Sequence, residues 1–168
     1  LGKACMVGKP SFGCGGIANG KHLPALRKLQ NLCDLTAFCD IIPERAEKAR
    51  AEYGSPDAKI YTDYRELLDN GDIDVVHVLT PNVLHSPITV AAFQAGKHVM
   101  CEKPMASTSA DAQAMLDAWK KSGKKFTIGY QNRFRPEVQA LYKACRKGEL
   151  GEIYYAKALA TRRRAVPT

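Results

Sequence analysis

The sequence predicts an α/β fold built on a doubly wound parallel sheet, and three observations carry that prediction. Apolar, strand-like runs alternate with helical stretches through most of the 168 residues, the rhythm of a parallel sheet with crossover helices. Asp74-Val75-Val76-His77-Val78-Leu79 is an almost unbroken apolar run, as suits a strand covered on both faces. Gly13-Cys14-Gly15-Gly16-Ile17-Ala18 has the G-x-G-x-x-A spacing of a tight strand-to-helix turn.

The elements follow in order. A strand over Lys3 to Val7 should feed the glycines, but Gly8-Lys9-Pro10-Ser11-Phe12 intervenes. Proline cannot donate to a strand ladder, so the segment is either a short strand with a lengthened loop or damaged sequence. A helix with Leu23, Leu26 and Leu29 on one side comes next, then a strand from Leu35 to Asp40. Pro43 and Gly54 bracket a second helix. A short strand spans Lys59 to Tyr61 and a helix Tyr64 to Leu68. After the apolar run, Ser86-Pro87 reads as the N-cap and first position of a helix stopped by Gly96. A strand at His98 to Cys101 precedes a helix from about Ala110, with Ala112, Met115, Leu116 and Trp119 inward and Gly123 at its end. Lys125 to Gly129 is a sixth strand. Pro136 opens a helix with Val138, Leu141, Tyr142 and Cys145 inward, and Ile153 to Thr161 reads as a last strand.

Composition narrows the class. Hydrophobic content of 45% and charged content of 25% suit a soluble globular chain. No apolar run approaches membrane-helix length and no secretory leader is evident, so a cytoplasmic chain is expected. The six cysteines form no C-x-x-C pair and sit beside no histidine at ligand spacing. They read as reduced, small hydrophobes, with no metal site. Most of the +8 net charge lies beyond Gln131 and ends in Arg162-Arg163-Arg164. No nucleic-acid motif accompanies it, so a solvated or interface-bound strand end is preferred to a nucleic-acid surface.

Right-handed crossovers bring the C-terminal ends of all parallel strands to one edge, where doubly wound sheets bind ligands. Gly13, Asp40, Thr80 and Glu102-Lys103 all fall at such ends. Gly13 would make the turn, Gly15 would admit a pyrophosphate, and Ala18 would let the helix pack closely. The helix N-terminus would face the phosphates. Asp40, 22 residues past Ala18, suits a carboxylate on the ribose hydroxyls; its plainer reading is a turn or capping acid. A carboxylate repels a 2′-phosphate and so favours NAD, while Arg45 leaves room for NADP.

Thr80-Pro81-Asn82, His85, Ala95-Gly96-Lys97-His98-Val99, Glu102-Lys103-Pro104 and Gly129-Tyr130-Gln131-Asn132-Arg133-Phe134 together resemble the Gfo/Idh/MocA family, from about Gly13 to the C-terminus. The resemblance implies a Rossmann-type domain over residues 1–130. Residues 131–168 would then be a linker helix and the first strand of a truncated second α/β domain for substrate and oligomerisation. It implies hydride transfer between NAD or NADP and a hydroxyl or carbonyl of a sugar, inositol or related polyol. No nucleic acid or membrane is involved, and the full-length protein would form a homo-oligomer. Lys103 matches the lysine that assists proton transfer, and partial desolvation beside a cationic nicotinamide would suit it to acid–base work. Its plainer reading is a solvated lysine after a strand.

The loop and the β2 end make Gly13, Gly15, Gly16, Ile17, Ala18, Asp40 and Arg45 candidate cofactor residues, and the resemblance adds Thr80, Pro81, Asn82, His85, Glu102, Lys103, Pro104 and Arg133. Glu102 would orient the lysine and the cofactor, and Pro104 would shape the nicotinamide pocket, often through a cis peptide. Arg133 would lie near the domain junction. Family members are roughly twice as long and carry an acid–base histidine four residues after an aspartate; neither is here, since His22, His77, His85 and His98 all come too early. A non-catalytic dinucleotide-binding module and an NAD-dependent glycosidase therefore stand as alternatives.

Overall fold

A computed structural model describes residues 2–8, of which only the main chain, and residues 14–159 and 161. Gly13, the Lys9 to Phe12 segment and Arg162 to Arg164 lie outside the described residues. The chain divides into two compact units, Leu1–Tyr130 and Gln131–Thr168, each described here by itself.

The first unit holds a six-stranded sheet of order β3-β2-β1-β4-β5-β6, every neighbouring pair parallel. The strands are β1 (Gly2–Gly8), β2 (Cys33–Asp40), β3 (Lys59–Tyr61), β4 (Val75–Val78), β5 (His98–Cys101) and β6 (Phe126–Ile128). The winding reverses between β1 and β4, the point where such sheets open a crevice at their C-terminal edge. β1 ends at Gly8, just before Lys9-Pro10, so the first strand is intact despite the proline that follows it.

Both faces of the sheet are covered. Val76 and Val78 of β4 pack with Ile88, Ala92, Phe93, Val99 and Met115 in one core. Phe38 of β2 packs with Ala18, Leu23, Ala46, Ala49 and Leu79 in the other. A bulge sorts β2 between them: Ala4 pairs with Leu35 but Cys5 pairs with Ala37, leaving Thr36 as the extra residue. That residue breaks the alternation. Leu35 and Phe38 therefore share one core although an unbroken strand would send them to opposite faces, while Ala37 and Cys39 enter the other.

The helices are α1 (Leu23–Arg27), α2 (Pro43–Tyr53), α3 (Tyr64–Leu68), α4 (His85–Gln94) and α5 (Ser109–Ser122). Pro43 opens α2 and Gly54 follows it, as their residue types require. The Thr108 hydroxyl accepts the Asp111 N–H at 3.1 Å to cap α5. Gly123 ends that helix at φ 65°, a conformation costly for any side chain. Two expectations need correction. α4 starts at His85, after a 3₁₀ turn Asn82–Leu84, and Ser86 is no cap: its hydroxyl donates to the Asp111 carbonyl at 3.2 Å, an acceptor brought in by α5. Leu29 lies in the turn beyond α1 and is exposed.

The second unit contains a 3₁₀ turn, Gln131–Phe134, and α6 (Pro136–Arg146). Val138, Leu141 and Tyr142 are exposed rather than inward, and Cys145 is half-buried. The expected strand over Ile153 to Thr161 does not form among the described residues 153–159 and 161. A strand needs a partner to satisfy its main chain, and the described residues of this unit include none. Among the described residues, no helix is long and apolar enough to cross a membrane.

Candidate functional site

The C-terminal ends of β2, β4 and β5 supply the acids and loops that the sequence points to, and three groups of hydrogen bonds, linked through the chain itself, tie them together. At the end of β2, Asp40 is fully buried. One carboxylate oxygen accepts the Cys14 N–H at 3.1 Å and the other the Ile42 N–H at 3.0 Å. Asp40 thus holds the glycine-loop main chain against its own strand. Two N–H donors offset part of the cost of burying a carboxylate. The same charge, after burial itself, helps push the Cys14 thiol up to about 12.

Gly15 is half-buried and Gly16 exposed. A Cβ at Gly16 would meet nothing within 4 Å, so the described residues make no demand for glycine there. Asn19 turns its amide back to the Cys14 and Gly15 carbonyls. Ile17 packs at the margin of the core and Ala18 is fully buried within it. The helix then widens. Ala18–His22 is a π turn in which the Leu23 N–H donates to the Ala18 carbonyl. Wide turns of this kind are rare and tend to mark functional sites. Here the i→i+5 spacing lets Ala18 and Leu23 both enter the core and leaves His22 free to reach across the edge.

His22 Nε2 donates to Glu102 Oε1 at 2.8 Å, with both side chains largely covered. Glu102 directly follows β5; its second oxygen accepts the Lys103 N–H at 2.9 Å. Gly129 presses against the same carboxylate, since a Cβ there would stand 2.9 Å from Oε1. His77 of β4 lies edge-on to His22, ring centres 6.3 Å apart. Burial, and secondarily His22, lowers the His77 imidazole to about 4.

His85 completes the belt. It is fully buried, with Nε2 2.9 Å from the Thr80 carbonyl and Nδ1 2.6 Å from the Pro104 carbonyl. It links the chain leaving β4 to the chain leaving β5. Lys103–Pro104 is a cis peptide. Lys103 is exposed. The residue stands on a turn beyond the strand end, where no described neighbour covers it. Pro81 is half-buried and Asn82 exposed. Arg45 is half-buried, and its Nη1 has no hydrogen-bond partner among the described residues. Arg133 belongs to the second unit; its carbonyl accepts the Gln139 amide.

Between the ends of β2 and β4 lies a cavity of about 300 Å³, lined by Ile41, Tyr64, Arg65, Thr80, Leu84 and Ile88 among others. It is mostly apolar. The Arg65 guanidinium sits over the Tyr64 ring at 4.9 Å, and the buried Thr80 hydroxyl has no partner among the described residues.

Comparison with known proteins matches this edge to a family. Residues 12–130 match the Gfo/Idh/MocA oxidoreductase family, described as an NAD-binding Rossmann fold. The chain belongs to that family. It is 36% identical over 138 residues to an inositol 2-dehydrogenase of Salmonella paratyphi B, covering 82% of this chain and 41% of that protein. It is 36% identical over 169 residues to a D-glucoside 3-dehydrogenase of Escherichia coli K12, covering 98% and 47%. Among solved structures, the WlbA dehydrogenase of Bordetella pertussis in complex with NADH and UDP-GlcNAcA superposes with a TM-score of 0.81 at 29% identity, covering 91% of this chain and 42% of that one. The chain thus spans less than half the length of these relatives.

The residues of this Gfo/Idh/MocA chain fit a dinucleotide. The unpartnered Thr80 hydroxyl lines an apolar cavity large enough for a flat heterocycle, and the glycine loop and β2 acid stand beside it. Sequence reasoning missed His22, His77, Gly129 and the Tyr64–Arg65 wall. Gly129 reads as the end of a strand; only the fold shows a carboxylate against it. Nothing in the spacing from Ala18 to His22 announces the wide turn that aims the imidazole.

Proposed function

We propose that this chain is the dinucleotide-binding part of an NAD-dependent oxidoreductase acting on a hydroxyl or carbonyl of a sugar, inositol or related polyol. The observation that supports this best is the hydrogen-bonded belt. It runs from Asp40 through Cys14 and Asn19 into the helix, and from His22 through Glu102 to Lys103. His85 then joins Pro104 to Thr80. It makes one rigid edge of the segments a dinucleotide would touch along its length. The relatives named for inositol and glucoside oxidation support the substrate class.

In this reading, the main chain at Gly15 and Gly16 meets the pyrophosphate, and the Thr80 cavity takes the adenine against Tyr64, Ile41 and Leu84. Asp40 shapes the loop through its two N–H contacts and offers its remaining lone pairs to the ribose. The nicotinamide, when bound, supplies the hydride chemistry. Lys103, exposed beside it, donates or accepts the proton at the reacting oxygen. Arg133 and the second unit belong to the start of the substrate domain, where the exposed apolar face of α6 suits an interface. Cytoplasmic residence and self-association of the full-length protein go with the same reading, and the free cysteines suit a reducing compartment.

NADP is the second reading, favoured by the unpartnered Arg45 Nη1, a ready donor for a 2′-phosphate. Titrating the chain with NADH and NADPH while following nicotinamide fluorescence decides between them. Saturable NADH binding, tighter than NADPH, is expected; no saturation by either at millimolar concentration overturns the reading. In a chain that carries the second domain, Lys103→Ala should lower kcat by about a hundredfold or more with NADH affinity nearly unchanged. Undiminished turnover removes Lys103 from the mechanism.

A further inference from the structure

We propose that His22 is a positioning residue. Through Glu102 it fixes the main chain at Lys103, so that the helix leaving the glycine loop and the turn carrying the lysine act as one piece. The inference rests on the reading that both belong to one cofactor site.

Four observations converge on it. The π turn Ala18–His22 is the local departure from α-helical geometry that places the imidazole at this edge. The imidazole reaches Glu102 Oε1 at 2.8 Å, and the other oxygen of the same carboxylate holds the Lys103 N–H at 2.9 Å. Gly129 leaves the carboxylate no room on a third side. His77 stands edge-on to the imidazole. A carboxylate gripped at both oxygens has one orientation. Without the His22 donor, Oε1 becomes a largely covered acceptor with no partner in the belt. Such a group rotates toward water rather than stay unpaired, and the Lys103 N–H then loses its acceptor. Supporting partners behind a functional group set its orientation in this way.

The ordinary alternative is that the pair merely pins a helix to the sheet. Three variants of the 168-residue chain separate the two. His22→Phe keeps a ring but removes the donor. His22→Gln restores a donor of similar reach. Gly129→Ala pushes on the carboxylate from the opposite side and serves if His22→Phe does not fold. The measurements are NADH affinity by fluorescence, the Lys103 amide resonance in ¹H–¹⁵N spectra, and the unfolding temperature. His22→Phe and Gly129→Ala should each weaken NADH binding by about tenfold, the loss of one hydrogen bond to a charged group. Each should also shift the Lys103 amide, while His22→Gln restores both readings. An unchanged Lys103 amide in the folded His22→Phe or Gly129→Ala chain overturns the proposal, as does failure of His22→Gln to restore it. If the unmutated chain binds no NADH, the functional reading falls, and the Lys103 amide still decides the role of His22.

Discussion

Two carboxylates stand at C-terminal strand ends of one sheet, largely covered, and they are used in opposite ways. Asp40 gives both oxygens to main-chain N–H groups, one of them across from the glycine loop. Glu102 gives one oxygen to a main-chain N–H and the other to a side chain from a different element. Asp40 therefore defines the shape of a loop, because main-chain donors cannot move without moving the chain. Glu102 is a joint between two elements, because one of its donors is the His22 side chain from the helix after the glycine loop. Burial alone does not separate these roles; the identity of the donors does.

The largest effect should come from Asp40. Asp40→Ala leaves the buried Cys14 N–H and the part-buried Ile42 N–H without acceptors, at a cost of about 3 kcal/mol, and frees the Cys14 main chain. Chemical denaturation should show this loss, with Asp40→Asn recovering part of it through its one remaining oxygen. The equivalent change at the joint, Glu102→Ala, leaves only one main-chain N–H without its acceptor and should cost less. Equal losses at the two sites would abolish the distinction between them.

The next effect is one of pH. His77 lies beside the joint; among the described residues no histidine lies beside Asp40. Its imidazole is lowered from the ordinary 6.5 to about 4, first by burial and then by His22. The unfolded chain takes up a proton near pH 6.5 that the folded chain refuses until about pH 4. Stability is thus untouched above pH 6.5 and falls as pH drops through that window, by up to about 3 kcal/mol. His77→Gln should flatten that part of the unfolding-midpoint curve relative to the unmutated chain. Parallel curves between pH 6.5 and 4 would show that His77 carries no such penalty.

The same contrast explains what was legible in the sequence. The place of Asp40 at the end of β2 was, because it closes an apolar strand run at a fixed spacing from the glycines; its grip on the Cys14 N–H was not. Also legible were β3, α3 and β5, which have clear turn residues beside them. The joint was not. His22 lies 80 positions from Glu102, and the turn that aims it is set by Ala18 and Leu23 competing for one core, which no local pattern encodes. The start of α4 was misplaced because Ser86-Pro87 has cap chemistry, while the Asp111 carbonyl that takes the serine hydroxyl comes from a distant helix. The strand expected over 153–161 failed for a related reason. Strand propensity describes a residue's fit to a sheet, and the described residues of that unit provide none.

A smaller effect should come from Gly129→Ala, at about 2 kcal/mol. Its Cβ would stand 2.9 Å from a glutamate oxygen rather than from main chain, so the carboxylate can yield at the expense of its hydrogen bonds. Gly54→Ala makes the control, because there the Cβ would meet the Arg50 carbonyl at 2.7 Å, main chain that cannot swing aside. Urea unfolding of the two variants compares a yielding contact with an unyielding one, and Gly54→Ala should lose more. The reverse order would mean that the Glu102 carboxylate is held as stiffly as main chain.

The smallest effect leaves stability alone and reads the two ends by their thiols. Cys14 adjoins Asp40 and Cys101 precedes Glu102. Both thiols are buried and pushed up to about 12, chiefly by burial, with the neighbouring carboxylate adding to it in each case. Neither should react measurably with a thiol reagent at pH 8 in the folded chain, whereas half-buried Cys145 should. Glu102→Gln removes the charge beside Cys101 but not its burial, so the Cys101 thiol should stay protected. Asp40→Ala removes the charge and also the anchor of the Cys14 main chain, so labelling at Cys14 should rise well above that at Cys101. If Cys101 in Glu102→Gln is labelled as fast as Cys14 in Asp40→Ala, the joint supports its surroundings as firmly as the loop anchor does.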